Sequence, residues 1–229
     1  MILLAADTSG KHGSIALTRM PDDANRPDDR PIEILEVVPL AGGTFSAQLV
    51  PQIAALLGKH GLGVRDIDAF AVASGPGSFT GLRVGLAAIK ALAEVLRKPI
   101  AAVSLLEAVA RSAKTPGRIT AVLDAGRGEV YAGEYDVGDS VQMRSARLVP
   151  RDELFSLASG CTVVTPDPRI ANDAREAGLS AEEVPEPRSD TIARLGWEKV
   201  QAGETVTPED LEANYIRRSD AEIFAKSSS

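Results

Sequence analysis

The order of elements in this chain is written twice. An apolar run, ILLAAD (Ile2–Asp7), leads into Thr-Ser-Gly and is followed within four residues by GSIALTRM, a pattern that predicts a buried strand, a turn and a hairpin partner. IEILEVVPL alternates and predicts a third strand. Leu49, Ile53, Leu56 and Leu57 then recur at helical spacing from Ser46 to about His60, with Pro51 tolerable if that helix begins just before it. AFAVASG reads as a strand, the stretch to about Arg97 as a helix stopped by Pro99, and IAAVS as another strand. Ser104 and Glu107 stand at the spacing of a capping box for the next helix. The series then restarts: ITAVLDA, EVYAGEYDV and VQMRSARLV as strands, RDELFSLAS as a helix, CTVVTPD as a strand and RIANDAREAG as a helix. Each copy places an acid at the exit of its first strand, Asp7 and Asp124. The expected architecture is therefore duplicated α/β, two similar lobes facing each other across a cleft, divided as 1–104 and 105–229.

The remaining segments fit the same scheme. PDDANRPDDRP is polar and Pro-bounded, an exposed loop after the second strand. SDTIARLGWEKVQAG and TPEDLEANYIRR both read as helices, the second with Thr207 as cap and Pro208 at its first position. That last helix, about 207–218, is free to pack back on the first lobe, and the tail AEIFAKSSS is expected to fray. Aromatics are only 4% of residues against 44% hydrophobic in all, so small aliphatic side chains must fill the core.

Several function classes are disfavoured. The start, MILLAAD, meets an acid early and has no basic leader, unlike a signal peptide. The most hydrophobic helix, Leu82 to Leu96, is broken by Arg83, Lys90 and Glu94 and is too short to span a bilayer. A single Cys161 cannot form an internal disulfide. These features predict a cytoplasmic protein. A net charge of −7, with Arg217-Arg218 as the one visible basic pair, argues against tight RNA binding by this chain alone.

The motif with most content is ASGPGSFTGLRVG, residues 73–85. A Walker-type phosphate loop needs Lys followed by Ser or Thr at the helix start, and here Leu82 and Arg83 follow Gly81. An anion could still sit on the exposed N–H groups; the competing reading is that Gly75 and Gly77 only shape a tight turn. Gly81, Gly85 and Ala88 recur at spacings of four and three and predict a ridge nearly free of side chains, suited to close approach by another backbone. Sheet packing or a second chain would each use such a ridge. Asp7-Thr8-Ser9 and Asp124-Ala125-Gly126 occupy matched hairpins, so Asp7, Thr8 and Asp124 are weak nucleotide candidates; Asx turns explain them equally. His12 and His60 are not at metal spacing, Cys161 has no companion, and Ser78 is outside any nucleophile-elbow pattern. No catalytic residue, metal site or cofactor is predicted.

ILLAADTS, SGPGSFTGLRVG, PIAAVSLLEAVA and LDAGRGEVYAGEY, in that order over most of the first 135 residues, resemble the TsaB family; GPGSFTGLR is the most specific stretch, and the ending NYIRR is similar too. The resemblance implies a duplicated actin-like (ASKHA, ribonuclease H-like) fold. It also implies a non-catalytic dimerisation subunit of bacterial tRNA threonylcarbamoyladenosine synthesis. Its partner would be the catalytic paralogue TsaD, which transfers threonylcarbamoyl from an adenylate to the adenosine beside the anticodon. The ATPase TsaE would join the assembly, tRNA would be reached only through it, and the chain alone would form a homodimer. The family's pairing surface is its two helices before and after the glycine loop, here those starting near Ser46 and Gly81. The implied interface set is Ser46, Leu49, Ile53, Ser78, Phe79, Gly81, Leu82, Gly85, Ala88 and Ile89. Where TsaD carries two metal-binding histidines, this chain has Leu105 and Val109. Where many TsaB sequences have His-Ser-Glu, it has Phe45-Ser46-Ala47, and Gly126 precedes Arg127 where the family has Arg directly. An actin-like ATPase or phosphotransferase built on Asp7 and Asp124 is the alternative, and a metallopeptidase relative the last.

Overall fold

The computed structural model describes residues 1–20, 32–214 and 216; the predicted polar loop and the tail lie outside the described residues. The described residues divide into two compact units, Met1–Ala108 with Pro187–Ala213, and Val109–Glu186.

The first unit is built on a five-stranded sheet of β1 (Ile2–Asp7), β2 (Gly13–Arg19), β3 (Glu33–Leu40), β4 (Ala69–Gly75) and β5 (Ile100–Ser104), in the order β3-β2-β1-β4-β5. β1, β4 and β5 are parallel, and β2 runs antiparallel to both β1 and β3. Alternation assigns the two faces. Leu4, Ala6, Phe70 and Val72 pack with Leu49, Ile53 and Leu57 of α1 (Phe45–Lys59) and with Leu82 and Ile89 of α2 (Phe79–Leu96). Pro51 lies well inside α1, further in than the sequence suggested. It has no N–H to offer the Ala47 carbonyl, and both residues are on the exposed side, where water can replace that bond.

The second unit repeats the arrangement. β6 (Gly117–Gly126), β7 (Glu129–Val137), β8 (Val141–Pro150), β9 (Thr162–Thr165) and β10 (Ala181–Glu183) take the order β10-β9-β6-β7-β8, the first sheet's order read from its other end. β7 alone is antiparallel to its neighbours. This twofold order is the duplicated actin-like arrangement. Val122, Val130 and Val163 pack against Leu154 of α4 (Leu154–Leu157) and Ile170 of α5 (Pro168–Glu176). α3 (Leu105–Arg111) follows β5, with the Glu107 N–H on Ser104 Oγ at 3.4 Å as half of the expected capping box; the Glu107 carboxylate is 3.4 Å from Lys199.

The structure departs from expectation at several points. The helix predicted over RDELFSLAS is one turn, and β10, three residues without an apolar pattern, was not predicted. The helix expected over about 207–218 is absent from its described part: Thr207 caps a single turn, its hydroxyl 3.3 Å from the Asp210 N–H. The stretch instead runs as a strap, with Val206 bridged to Ile100 at the sheet edge and Leu211 buried in the first unit's core. α6 (Ser189–Ala202) belongs with the first unit, whereas a division at 104/105 places it in the second lobe. Its reason is steric. The sheet face opposite α1 and α2 presents Ala71 and Ala101, and Gly196 of α6 sits so close that a Cβ there would meet the Ala71 Cβ.

The same constraint governs the glycine loop. Ser78 caps α2 by accepting the Gly81 N–H at 3.3 Å, and its own N–H donates to the Ser9 carbonyl at 2.7 Å. Gly81 and Gly85 are buried against the turn after β1: a Cβ at Gly81 would strike the Thr8 carbonyl oxygen, and one at Gly85 would strike Thr8 Oγ1. That hydroxyl donates to the Gly81 carbonyl at 2.7 Å. Of the two uses expected for the side-chain-poor ridge, packing within this chain takes Gly81 and Gly85, while Ala88 stands at the outward groove.

Replacing Gly81 or Gly85 therefore perturbs the fold. Gly81→Ala is expected to cost about 1–3 kcal/mol despite alanine's helix propensity, because a backbone carbonyl cannot swing away. Gly85→Ala should cost less, and Thr8→Ala should relieve it without relieving Gly81→Ala. Urea unfolding of the single and double variants measures this.

Candidate interaction surface on the first unit

α1 and α2 lie side by side, and their outward faces leave a groove of about 500 Å³ between them. Ser46 and Val50 line it from α1, and Phe79, Arg83, Val84 and Ala87 from α2. A surface helix ordinarily turns a charged face to water. On α1 the exposed positions Ala47, Val50, Pro51, Ala54 and Ala55 carry no charge, and the helix has no acid and no base before Lys59. Val50 is 52% exposed, Phe79 38% and Val95, further along α2, 82%, three of the most exposed large apolar side chains among the described residues. The groove's one formal charge is Arg83, whose guanidinium lies 3.7 Å from the Phe79 ring centroid. Stacking covers one face of the guanidinium and restricts its direction.

The predicted interface residues fall into two groups. Ser46, Ser78 and Phe79 are exposed and Ala88 is half-buried beside the groove. Leu49, Ile53, Leu82 and Ile89 are core residues, buried to within 2% exposure, and Gly81 and Gly85 contact Thr8. Helical spacing alone picks the inward stripe, which is why those residues stood out in the sequence. Val50, Val84 and Ala87 also line the groove and were not in that set; for Val50 the charge-free outer positions of α1 were the signal that could have found it.

The nucleotide candidates are each engaged locally. Asp7 is buried, and its Oδ1 accepts the Ser9 N–H at 2.9 Å and the Ser9 hydroxyl at 2.6 Å, an Asx turn. Asp124 forms the matching turn in the second unit, Oδ1 accepting the Gly126 N–H at 3.0 Å. Arg169 stands 4.0 Å from Asp124 and 2.8 Å from Asp167, which caps α5 through the Arg169 N–H. The hydrogen bonds from Arg169 hold the Asp167 carboxyl below the ordinary aspartate range, against a smaller upward push from burial. Among the described residues no group of three or more His, Cys, Asp or Glu could hold a metal ion, and no described helix is long and apolar enough to cross a membrane.

A family model described as TsaD, tRNA N6-adenosine threonylcarbamoyltransferase, matches residues 37–187. The Escherichia coli protein named tRNA threonylcarbamoyladenosine biosynthesis protein TsaB is 30% identical over 187 residues, 76% of this chain and 81% of that one. The chain belongs to the TsaB family. A Bacillus subtilis protein of the same name is 37% identical over 136 residues, 59% of this chain and 55% of its own length, so the chain spans about half the length of that TsaB relative. A Pseudomonas aeruginosa crystal structure described as an uncharacterized protein with similarity to peptidase YeaZ superposes with a TM-score of 0.72 at 25% identity, covering 94% of this chain and 99% of that one. For this TsaB-family chain the family stretch GPGSFTGLR is the capped entry to α2, and Leu105 and Val109 are buried apolar residues.

The depressed Asp167 carboxyl sets a direction for pH. A folded pKa below the unfolded one means stability that is present above about pH 4 and drains as pH falls through the lower folded value. Asp167→Asn should be less stable than the parent near neutrality, and the gap should close on acidification below about pH 4. Urea midpoints across that range read the effect.

Proposed function

We propose that this chain is a non-catalytic dimerisation subunit in the synthesis of tRNA threonylcarbamoyladenosine, working in the cytoplasm. Its partner is the TsaD paralogue, a tRNA N6-adenosine threonylcarbamoyltransferase, with TsaE joining the assembly and tRNA reached through it. In the absence of TsaD the chain pairs with itself through the same surface, so the two pairings compete.

The observation that carries this reading is the charge-free outer face of α1 beside the apolar groove. Leaving Val50, Phe79 and their neighbours in water is unfavourable by about 25 cal/mol for each Å² that a partner could cover. Two adjacent helices present a strip roughly 20 Å wide and 25 Å long, about 500 Å² a side, which reaches the roughly 1,000 Å² total that a specific interface needs. Turn hydrogen bonds engage Asp7 and Asp124, and the Thr8 hydroxyl bonds Gly81, which supports a structural use for the residues that a nucleotide site would need. The chain then supplies shape while its paralogue supplies the chemistry.

Two measurements test this. Val50→Glu, on an exposed site where folding is unaffected, should weaken binding to TsaD at least about a hundredfold by burying an unpaired carboxylate. Adding the parent chain to TsaD and TsaE should restore tRNA modification, and the variant should not. Full modification by TsaD and TsaE alone overturns the requirement. Micromolar binding of magnesium-ATP to this chain, lost in Asp7→Asn, would favour an ATPase instead.

A further inference from the structure

Among the described residues two that are not glycine have positive φ, and both are exposed arginines: Arg97 at 53° and Arg127 at 58°. Arg97 has a local reason. It caps the C-terminus of α2, its N–H reaching the Ala93 and Glu94 carbonyls, and a cation is favoured beside the negative end of a helix. Arg127 has no such reason. It opens the two-residue loop between β6 and β7, where Gly126 pairs with Glu129 and Gly128 also has positive φ, 78°. That is the pattern of a type I′ hairpin, whose first loop position favours asparagine, aspartate or glycine and penalises longer side chains. Nearby arginines are engaged inside the chain, Arg151 at 2.8 Å from Asp173 and Arg169 at 2.8 Å from Asp167. Arg127 makes no hydrogen bond and no ion pair with the described residues. A turn that strains its backbone to display an unused guanidinium points to a use outside the chain.

We propose that Arg127 receives a carboxylate of a protein partner, a contact made by the second unit and separate from the α1/α2 groove. The inference rests on the proposed membership of the TsaD–TsaE assembly and adds a second point of attachment to it. The planar fork of a guanidinium matches a carboxylate through two parallel N–H···O bonds. The surroundings of the loop select protein over nucleic acid. Asp124, with 47% of its side chain exposed, and the half-buried Glu129 stand on the strands either side of the loop. A run of phosphates would meet both carboxylates, whereas one acidic side chain needs only the open guanidinium. The loop is also held before any partner arrives, because the Arg151 N–H donates to the Gly128 carbonyl at 2.9 Å. A backbone already ordered lowers the cost of making the contact.

Arg127→Asn separates the contact from the fold, because Asn-Gly is a preferred pair for this loop. The variant should be more stable than the parent, with a urea midpoint higher by roughly 0.3 M, yet join TsaD and TsaE about tenfold more weakly by titration calorimetry. Arg127→Lys keeps the charge without the fork and should lose less affinity. Arg97→Asn relieves the same backbone conformation where no contact is proposed, and should leave assembly unchanged. Full affinity in Arg127→Asn overturns the proposal, as does an equal loss in Arg97→Asn. An Arg127→Asn chain less stable than the parent removes the strain on which the inference stands. If the protein complex forms as tightly as before but binds tRNA more weakly, the guanidinium serves a phosphate and the carboxylate reading falls. Val50→Glu keeps the two readings apart: intact TsaD binding in that variant sinks the groove as the pairing face, whereas full affinity in Arg127→Asn sinks only the second contact.

Discussion

The contact between Thr8 and the first two turns of α2 sets the depth and the rotation of that helix on the first sheet. The Thr8 hydroxyl gives its proton to the Gly81 carbonyl, and Gly81 and Gly85 bring the helix so near the β1 turn that no side chain fits between them. A helix pinned at this depth presents Leu82 and Ile89 to the sheet, and so presents Arg83, Val84 and Ala87 to solvent. The outward groove is therefore a by-product of an inward lock. Shifting α2 outward by the width of a methyl group would leave the Thr8 hydroxyl without its acceptor and open a void beside the sheet, either of which costs stability.

The duplication is visible at atomic detail, where the sequence similarity of the two halves is faint. Asp7 and Asp124 each close a two-residue Asx turn, onto Ser9 and onto Gly126, at the same place in sheets of the same strand order. The turn has diverged around them. The first is buried under α2, while the second lies open beside Arg169. One inherited hairpin thus serves in one unit as a packing anchor and in the other as part of a small polar cluster with Asp167.

Strands and the main helices were legible because local physics settles them. Ile2–Asp7 and Ala69–Gly75 are short and apolar between turn residues, and Leu49, Ile53 and Leu57 repeat with the period of a helix. What escaped was decided by distant partners. Gly81 and Gly85 announce a close neighbour without saying which, and the neighbour is Thr8, more than seventy positions earlier. Gly196 announces another, and it is Ala71. The stretch after Thr207 has a cap, a proline and acids suited to a helix, yet Val206 and Leu211 are drawn to the sheet edge and the core, and that burial outweighs propensity. β10, with three residues and no apolar signature, exists because β9 offers it an edge.

The position of α6 bears on how such a chain comes off the ribosome. Its residues, 189–202, cover the alanine-lined face of a sheet whose last strand ends at Ser104. Synthesis proceeds at about 5–20 residues per second, so that face stays bare for several seconds while the intervening residues are made. A nascent chain in this interval exposes both a sheet surface and the apolar groove of α1 and α2, and needs shielding until the late helix arrives. Truncation before Ser189 would make that vulnerability permanent, which ties the survival of the first unit to the synthesis of a helix more than eighty residues beyond its last strand.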